Sequence, residues 1–167
     1  MRIMGIDPGY GIVGYGVLEL AGSRMKVVGS GIIETERKKS FPERLVDIFE
    51  GMMKLIEKYE PDEVSMEKLY FFRNVTTAME VGEARGVIIL ALTLKKIKIN
   101  EYTPYQVKMA VTGYGRARKE NVRDMVMKIL NLKERPKFDD VSDALAIAIC
   151  HANSYAMKKR VGEFDVS

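Results

Sequence analysis

The sequence predicts an α/β fold: a five-stranded mixed sheet, its first three strands antiparallel, flanked by helices. Short β-branched runs separated by glycine turns fill the first third of the chain. From Ser40 onward apolar residues recur at helical spacing, and two strand-length segments, Glu63–Glu67 and Lys98–Tyr102, interrupt the helices.

Taken in order, Ile3, Met4 and Ile6 form a first strand that stops at the Gly9-Tyr10-Gly11 turn. Residues 12–18 return as the second strand of a hairpin. After a turn at Ala21-Gly22-Ser23, the run 25–34, with Val27, Val28, Ile32 and Ile33, completes a meander. Ser40 and Glu43 stand at capping-box spacing ahead of a helix whose Leu45, Ile48, Phe49, Met52, Leu55 and Ile56 mark one core face down to about Lys58. Pro61-Asp62 breaks it before the strand 63–67. A long helix over 75–94 follows, and its Gly82 and Gly86, four apart, predict close approach of another backbone.

Beyond the strand 98–102, Thr103-Pro104-Tyr105-Gln106 supplies an N-cap, a first-turn proline and the capping-box glutamine of a short helix ending near Thr112. The loop 113–118 leads to a helix carrying Val122, Met125, Val126, Ile129 and Leu130, and Pro136 marks the next break. The last helix begins at Asp140 or just before it and buries Ala144, Leu145, Ala148, Ile149 and Ala152, with a polar stretch from Lys158 expected to fray. No repeat or linker divides the chain, so residues 1–167 read as one domain.

Composition narrows the classes. With 47% hydrophobic and 30% charged residues in 167, the chain builds a core of its own and is neither disordered nor collagen-like. A single cysteine, Cys150, excludes an intramolecular disulfide and a four-cysteine zinc site and favours a reducing compartment. No apolar run reaches about 18 residues, and Asp7 arrives too early for a signal peptide, so a soluble cytoplasmic protein without membrane contact is expected. Lysine and arginine total 27 against 23 acids, a net +4 that tilts toward polyanions. The basic runs at 37–39, 95–98, 116–119 and 158–160 each read, alone, as solvated surface.

Three places put a carboxylate where it is locally awkward. Asp7 ends an apolar strand before Pro8-Gly9, either as an Asx-type turn acceptor or as a catalytic acid. Glu67 closes a strand in which Val64 and Met66 share one face and Ser65 and Glu67 the other, a pattern that a half-exposed strand also explains. Asp139, Asp140 and Asp143 open the last helix, where Asp139 or Asp140 serves equally as a cap. Asp143 is followed directly by small and apolar residues suited to packing on a sheet, which brings its carboxylate close to that sheet. If the strands bearing Asp7 and Glu67 are neighbours and the last helix crosses their ends, the acids converge. Their repulsion then demands cations. Oxygen-only ligands suit Mg²⁺ or Mn²⁺ rather than zinc, and two such ions serve phosphodiester hydrolysis.

Gly5-Ile6-Asp7-Pro8-Gly9, Glu67 with an aromatic three residues on, Glu83-Ala84-Arg85-Gly86, Tyr105-Gln106-Val107-Lys108, the loop from Gly113 to Lys119 and Asp140-x-x-Asp143-Ala144-Leu145-Ala146 occur in the order and spacing of one family. Over nearly its whole length the chain resembles the RuvC family of bacterial Holliday junction resolvases, ribonuclease H-like nucleases. The resemblance implies symmetric cleavage of four-way DNA junctions in recombination and repair, leaving 5′-phosphate and 3′-hydroxyl ends. It also implies that Asp7, Glu67, Asp140 and Asp143 hold two Mg²⁺ ions per site, with Mn²⁺ as a substitute and Asp7 bridging both, and it selects Asp140 over Asp139. His151 does not match the position at which some relatives carry histidine, and reads as structural.

By the same resemblance, the loop after Glu67 enters the junction with Tyr70 stacked on a base, and Phe71, Arg73 and Asn74 are further DNA contacts. Lys108 and Lys119 lie near the scissile phosphate as catalytic residues that neutralise developing negative charge, and Arg116 and Arg118 in the same loop as Lys119 add phosphate contacts. Two symmetric nicks call for a C2 homodimer, placed on the second long helix, with the RuvA–RuvB branch-migration complex as protein partner. Three alternatives share features of the sequence. Actin-like ATPases have a similar glycine-rich opening but need two such domains; a shorter resolvase-like family tied to ribosomal RNA processing lacks the full-length match; and a junction-binding dimer would use the acids only as caps.

Overall fold

The structure is a computed structural model describing residues 1–22, 24–68 and 75–164, without the side chains at 75, 76, 163 and 164. Ten elements follow one another: β1 (Arg2–Asp7), β2 (Ile12–Ala21), β3 (Arg24–Glu34), α1 (Phe41–Tyr59), β4 (Glu63–Glu67), α2 (Val75–Leu94), β5 (Lys98–Tyr102), α3 (Pro104–Thr112), α4 (Lys119–Ile129) and α5 (Asp139–Phe164). The strands form one sheet in the order β3-β2-β1-β4-β5. The β1-β2-β3 meander is antiparallel, while β4 lies parallel to β1 and β5 parallel to β4. The expected mixed five-stranded sheet is therefore present, and β1 and β4, which end in Asp7 and Glu67, are neighbours running the same way.

Strand alternation sorts the core into two layers. Met4, Ile6, Val17, Val64 and Met66 pack beneath α1 and α2 against Ile48, Met52, Ile88 and Leu92. On the other face Ile3 and Leu18 meet α3, α4 and α5 through Val107, Val126, Leu145 and Ile149. Residues 63, 65 and 67 of β4 share this second face, which α5 covers: Ser65 is fully buried and its hydroxyl donates to the Ile147 carbonyl at 3.3 Å. The face that alternation alone leaves half-exposed is thus mostly a helix contact.

Helix α5 lies unusually close to the sheet, because glycines face it. A Cβ added to Gly5 would stand 2.1 Å from the Ala144 carbonyl oxygen, and one added to Gly14 would stand 2.2 Å from that of Asp140. Gly14 is the cross-strand partner of Asp7. The same missing side chains that let α5 settle therefore put its first turns beside the end of β1. Farther along α5, His151 is buried in a polar network: Glu63 Oε2 lies 3.0 Å from Nε2 and the Tyr102 hydroxyl 2.7 Å from Nδ1. The carboxylate only accepts, so Nε2 carries the proton and Nδ1 accepts from Tyr102. Burial holds the imidazole below its ordinary pKa, against the pull of Glu63.

Two expectations are corrected. Helix α5 does not fray at Lys158 but continues to Phe164, since Lys158, Lys159 and Arg160 are good helix formers extending a helix already anchored by its buried segment. Gly86 does not admit a second backbone within the chain: nothing lies within 4 Å of a Cβ placed there, because its side of α2 faces away from the core. Among the described residues no helix is long and apolar enough to cross a membrane.

These contrasting glycines make a direct test. Gly5→Ala forces a Cβ into a backbone carbonyl and is expected to cost at least about 2 kcal/mol in urea denaturation. Gly86→Ala meets open space and gains helix propensity, so its stability should be unchanged or higher by up to about 1 kcal/mol. A Gly5→Ala variant as stable as the parent would show that α5 does not depend on the glycine contact.

Candidate active site

Asp7, Glu67 and Asp143 open on one cleft of about 300 Å³, together with Lys108, Lys119 and the apolar Val107, Val122 and Ala146. The two strand ends supply Asp7 and Glu67 side by side, and α5 delivers Asp143 from above. Asp140, one turn earlier on α5, acts on Asp7 through its charge but opens on the adjoining groove with Tyr10, Arg37 and Arg44. The structure therefore brings together the four acids singled out in the sequence, with Asp140 at the side of the cluster.

The lysines arrive on α3 and α4. Thr103 caps α3 by accepting from the Gln106 amide at 3.1 Å while its own amide donates to Gln106 Oε1 at 2.8 Å. Gly113, with φ 74°, ends α3 in a left-handed turn that few other residues adopt. The chain then reverses into α4, whose first residue is Lys119; its ammonium donates to Asp143 Oδ2 at 2.8 Å. Lys108, on α3, lines the wall of the cleft.

The electrostatics record how crowded the acids are. Burial, followed by the charges of Asp143, Asp140 and Glu67, pushes the Asp7 carboxyl up to about 8, with Lys119 acting in the opposite direction. Burial and Asp143 likewise raise Glu67, opposed by Lys108 and Lys119. At Lys119 burial disfavours the charge, but the hydrogen bond and the charge of Asp143 outweigh it and hold the ammonium above the ordinary lysine value. Among the described residues no three acidic, histidine or cysteine side chains form a ready-made metal cage. Oxygen-only donors around a carboxyl raised this far nevertheless fit a hard divalent cation, which would relieve the repulsion; they do not fit zinc.

The Asp139 ambiguity has a structural answer. Asp139 Oδ2 lies 2.5 Å from an Arg123 guanidinium nitrogen, so it faces α4 and not the cleft. Arg123, nearly buried, also holds Glu120 at 2.9 Å and ties α4 to the start of α5. Sequence reasoning missed this clamp: an arginine among apolar helix positions was the available signal. It also missed the role of Gly14 beneath Asp140. Arg116 and Arg118 are exposed on the loop between α3 and α4 and do not line the cleft. Tyr70, Phe71, Arg73 and Asn74 lie outside the described residues.

A sheet of this order, with one acid ending β1, another ending its parallel neighbour and more on the helix crossing both, defines the ribonuclease H-like class of nuclease. The model of the crossover junction endodeoxyribonuclease RuvC family matches residues 3–151. A RuvC from Brevibacillus brevis is 57% identical over 152 residues, 91% of this chain and 92% of that one. One from Halothermothrix orenii is 52% identical over 162 residues, 97% and 98% of the two chains. Among solved structures, Thermus thermophilus RuvC in complex with Holliday junction substrate matches with a TM-score of 0.89 at 33% identity, over 95% of this chain and 96% of that one. The chain belongs to the RuvC family, whose members are metal-dependent nucleases.

The raised carboxyl has a measurable consequence in chelator-treated protein. Folded Asp7 keeps its proton up to about 8, whereas the unfolded chain releases it near 3.8. The native state thus binds more protons across that window, and this group's contribution to stability falls as pH rises through it. Asp7→Asn should therefore be more stable than the parent at pH 8 by chemical denaturation, with the advantage shrinking toward pH 4. A variant less stable at pH 8 would mark Asp7 as a turn acceptor that supports the fold.

Proposed function

We propose that this chain is a structure-selective endonuclease that resolves four-way DNA junctions by symmetric phosphodiester hydrolysis, leaving 5′-phosphate and 3′-hydroxyl ends. The observation that carries this reading is the convergence of Asp7, Glu67 and Asp143 with Lys119 in one cleft, in a chain matching the RuvC family over residues 3–151.

Asp7, Glu67, Asp140 and Asp143 are the proposed metal ligands, and the charges of the other three all act on Asp7. Two Mg²⁺ ions, or Mn²⁺ in their place, would be held by these acids and would supply water activation and charge neutralisation at the phosphate. The protein's own part is to fix the acids on rigid elements and to exclude bulk water with Val107, Val122 and Ala146. Lys119, paired with Asp143 here but with a largely exposed side chain, is free to exchange that carboxylate for a substrate phosphate. Lys108 approaches from the Glu67 side, and both ammonium groups stabilise the pentavalent transition state by charge.

Tyr70, with Phe71, Arg73 and Asn74, is the proposed junction-entering segment; it joins the end of β4 to the start of α2, and an aromatic there contributes about 1–3 kcal/mol of stacking on an unpaired base. Arg116 and Arg118 are proposed phosphate contacts beside Lys119. A homodimer supplies two clefts to two symmetry-related strands. The exposed Met79, Leu90 and Leu94 and the open space at Gly86 support α2 as its contact surface. The RuvA–RuvB branch-migration complex is the proposed protein partner.

Synthetic four-way junctions should be nicked at symmetric positions only when Mg²⁺ or Mn²⁺ is added. Junctions left intact at saturating protein and Mg²⁺ would overturn the proposal. Asp7→Asn should bind junctions but not cut them, which separates a nuclease from a binding protein whose acids are caps. Lys119→Ala is expected to slow cleavage by about a hundredfold with little change in melting temperature; an equal loss of stability would make Lys119 a fold residue.

A further inference from the structure

Beside the catalytic cleft, on the Asp140 side, lies a second groove of about 580 Å³ between the turn after β1 and the first turn of α1. It contains two basic residues that the nuclease chemistry does not use, Arg37 from the 37–39 run and Arg44. Arg44 is held in place. Its Nε donates to the Thr35 hydroxyl oxygen at 2.8 Å, and its guanidinium lies over the Tyr10 ring at 4.9 Å from the centroid. Thr35, only 3% exposed, is itself fixed, because its hydroxyl donates to the Tyr10 carbonyl at 2.9 Å. The strand end, the turn and the helix are thus knitted together around one arginine.

This anchoring occupies Nε and one face of the guanidinium but leaves the terminal nitrogens of the fork unengaged by any carboxylate among the described residues. Nearby Lys39, by contrast, is tied to Asp47 at 2.7 Å. A guanidinium with its rotamer already fixed loses little entropy on binding an oxyanion, and its fork matches phosphate oxygens bidentately. Arg37 is exposed on the same groove. Two acids, Asp140 and the exposed Glu34, also line the groove. Among the described residues the two arginines are the cationic groups lining it, beside Asp140, whose charge acts on Asp7.

We propose that this groove is a second backbone-phosphate site, in which Arg44, assisted by Arg37, holds a phosphate of the cleaved strand flanking the scissile one. The proposal deepens the nuclease reading and rests on it for the direction of the strand. Arg44 is a binding residue set by Thr35 and Tyr10, and the lysine pair in the Asp7 cleft takes the scissile phosphate itself. The strand is thereby held at the scissile phosphate and at one flanking phosphate.

Binding of a four-way junction and of a single-stranded oligonucleotide would be measured in chelator over a salt series for the parent, Arg44→Gln, Arg44→Lys and the exposed-site variant Arg37→Gln. Arg44→Gln should weaken binding on the order of tenfold and lower the salt slope, for each phosphate no longer neutralised, by about 0.9 on the junction and about 0.7 on the single strand, with Arg44→Lys retaining the slope but not the full affinity. Neutral methylphosphonate linkages placed one at a time along the strand should include one flanking position at which Arg44→Gln costs nothing further. An unchanged slope in both Arg44→Gln and Arg37→Gln, or no methylphosphonate position that cancels the Arg44→Gln effect, overturns the site. If the parent cuts no junction while the variants still lose oligonucleotide affinity as described, the groove stands and the nuclease reading fails. Cutting by the parent with unaltered variant binding gives the reverse.

Discussion

The close seating of α5 on the β1-β2 hairpin is the contact on which the site depends. Helix and sheet normally keep a layer of side chains between them, yet here two strand glycines present bare backbone to the Ala144 and Asp140 carbonyls. The consequence is positional. A helix held off by even one methyl group would carry Asp140 and Asp143 away from Asp7, and a displacement of about 1 Å is already significant for catalytic geometry. Other contacts lock the same register: Ser65 bonds the Ile147 carbonyl beneath the helix, Arg123 clamps Asp139 at its start, and the Glu63–His151–Tyr102 network anchors it farther along.

That precision is held against electrostatic resistance. Three carboxylates act on Asp7 in a partly dry cleft, and Lys119 offsets only part of their charge. The apolar layers on both faces of the sheet supply the stability that the acid cluster withholds, and active sites commonly carry such strain. Positive charge then enters from separate elements: Lys108 from α3, Lys119 from the start of α4, and Arg44 from α1 across the adjoining groove. Each stands on a regular element, so the cleft meets a polyanion with little rearrangement of the scaffold.

Much of this is legible in the sequence. The meander, the capping boxes at Ser40 and Thr103, and the break at Pro61 are local signals, and every element but the C-terminal end of α5 appears within a few residues of its expected bounds. The acids stand out because a carboxylate ending an apolar strand is locally unexplained. Less legible are features that depend on a distant partner. Gly86 reads as a packing glycine because helical spacing shows which residues share a face but not what that face meets. By position Asp139 and Asp140 are equivalent caps; the family resemblance selects Asp140, and the physical reason appears only in the fold, where Arg123 on the preceding helix draws Asp139 aside.

The order of strands and helices, the four candidate acids and the family resemblance were thus determined by sequence alone, since periodicity, capping and motif spacing are properties of neighbouring residues. Only the tertiary structure decided which acids share a cleft, that Lys119 engages Asp143, and that Arg44 is fixed beside Asp140. Those outcomes depend on how closely α5 and the sheet approach, a distance set by side chains missing at Gly5 and Gly14 near one end of the chain and met by the Ala144 and Asp140 carbonyls near the other.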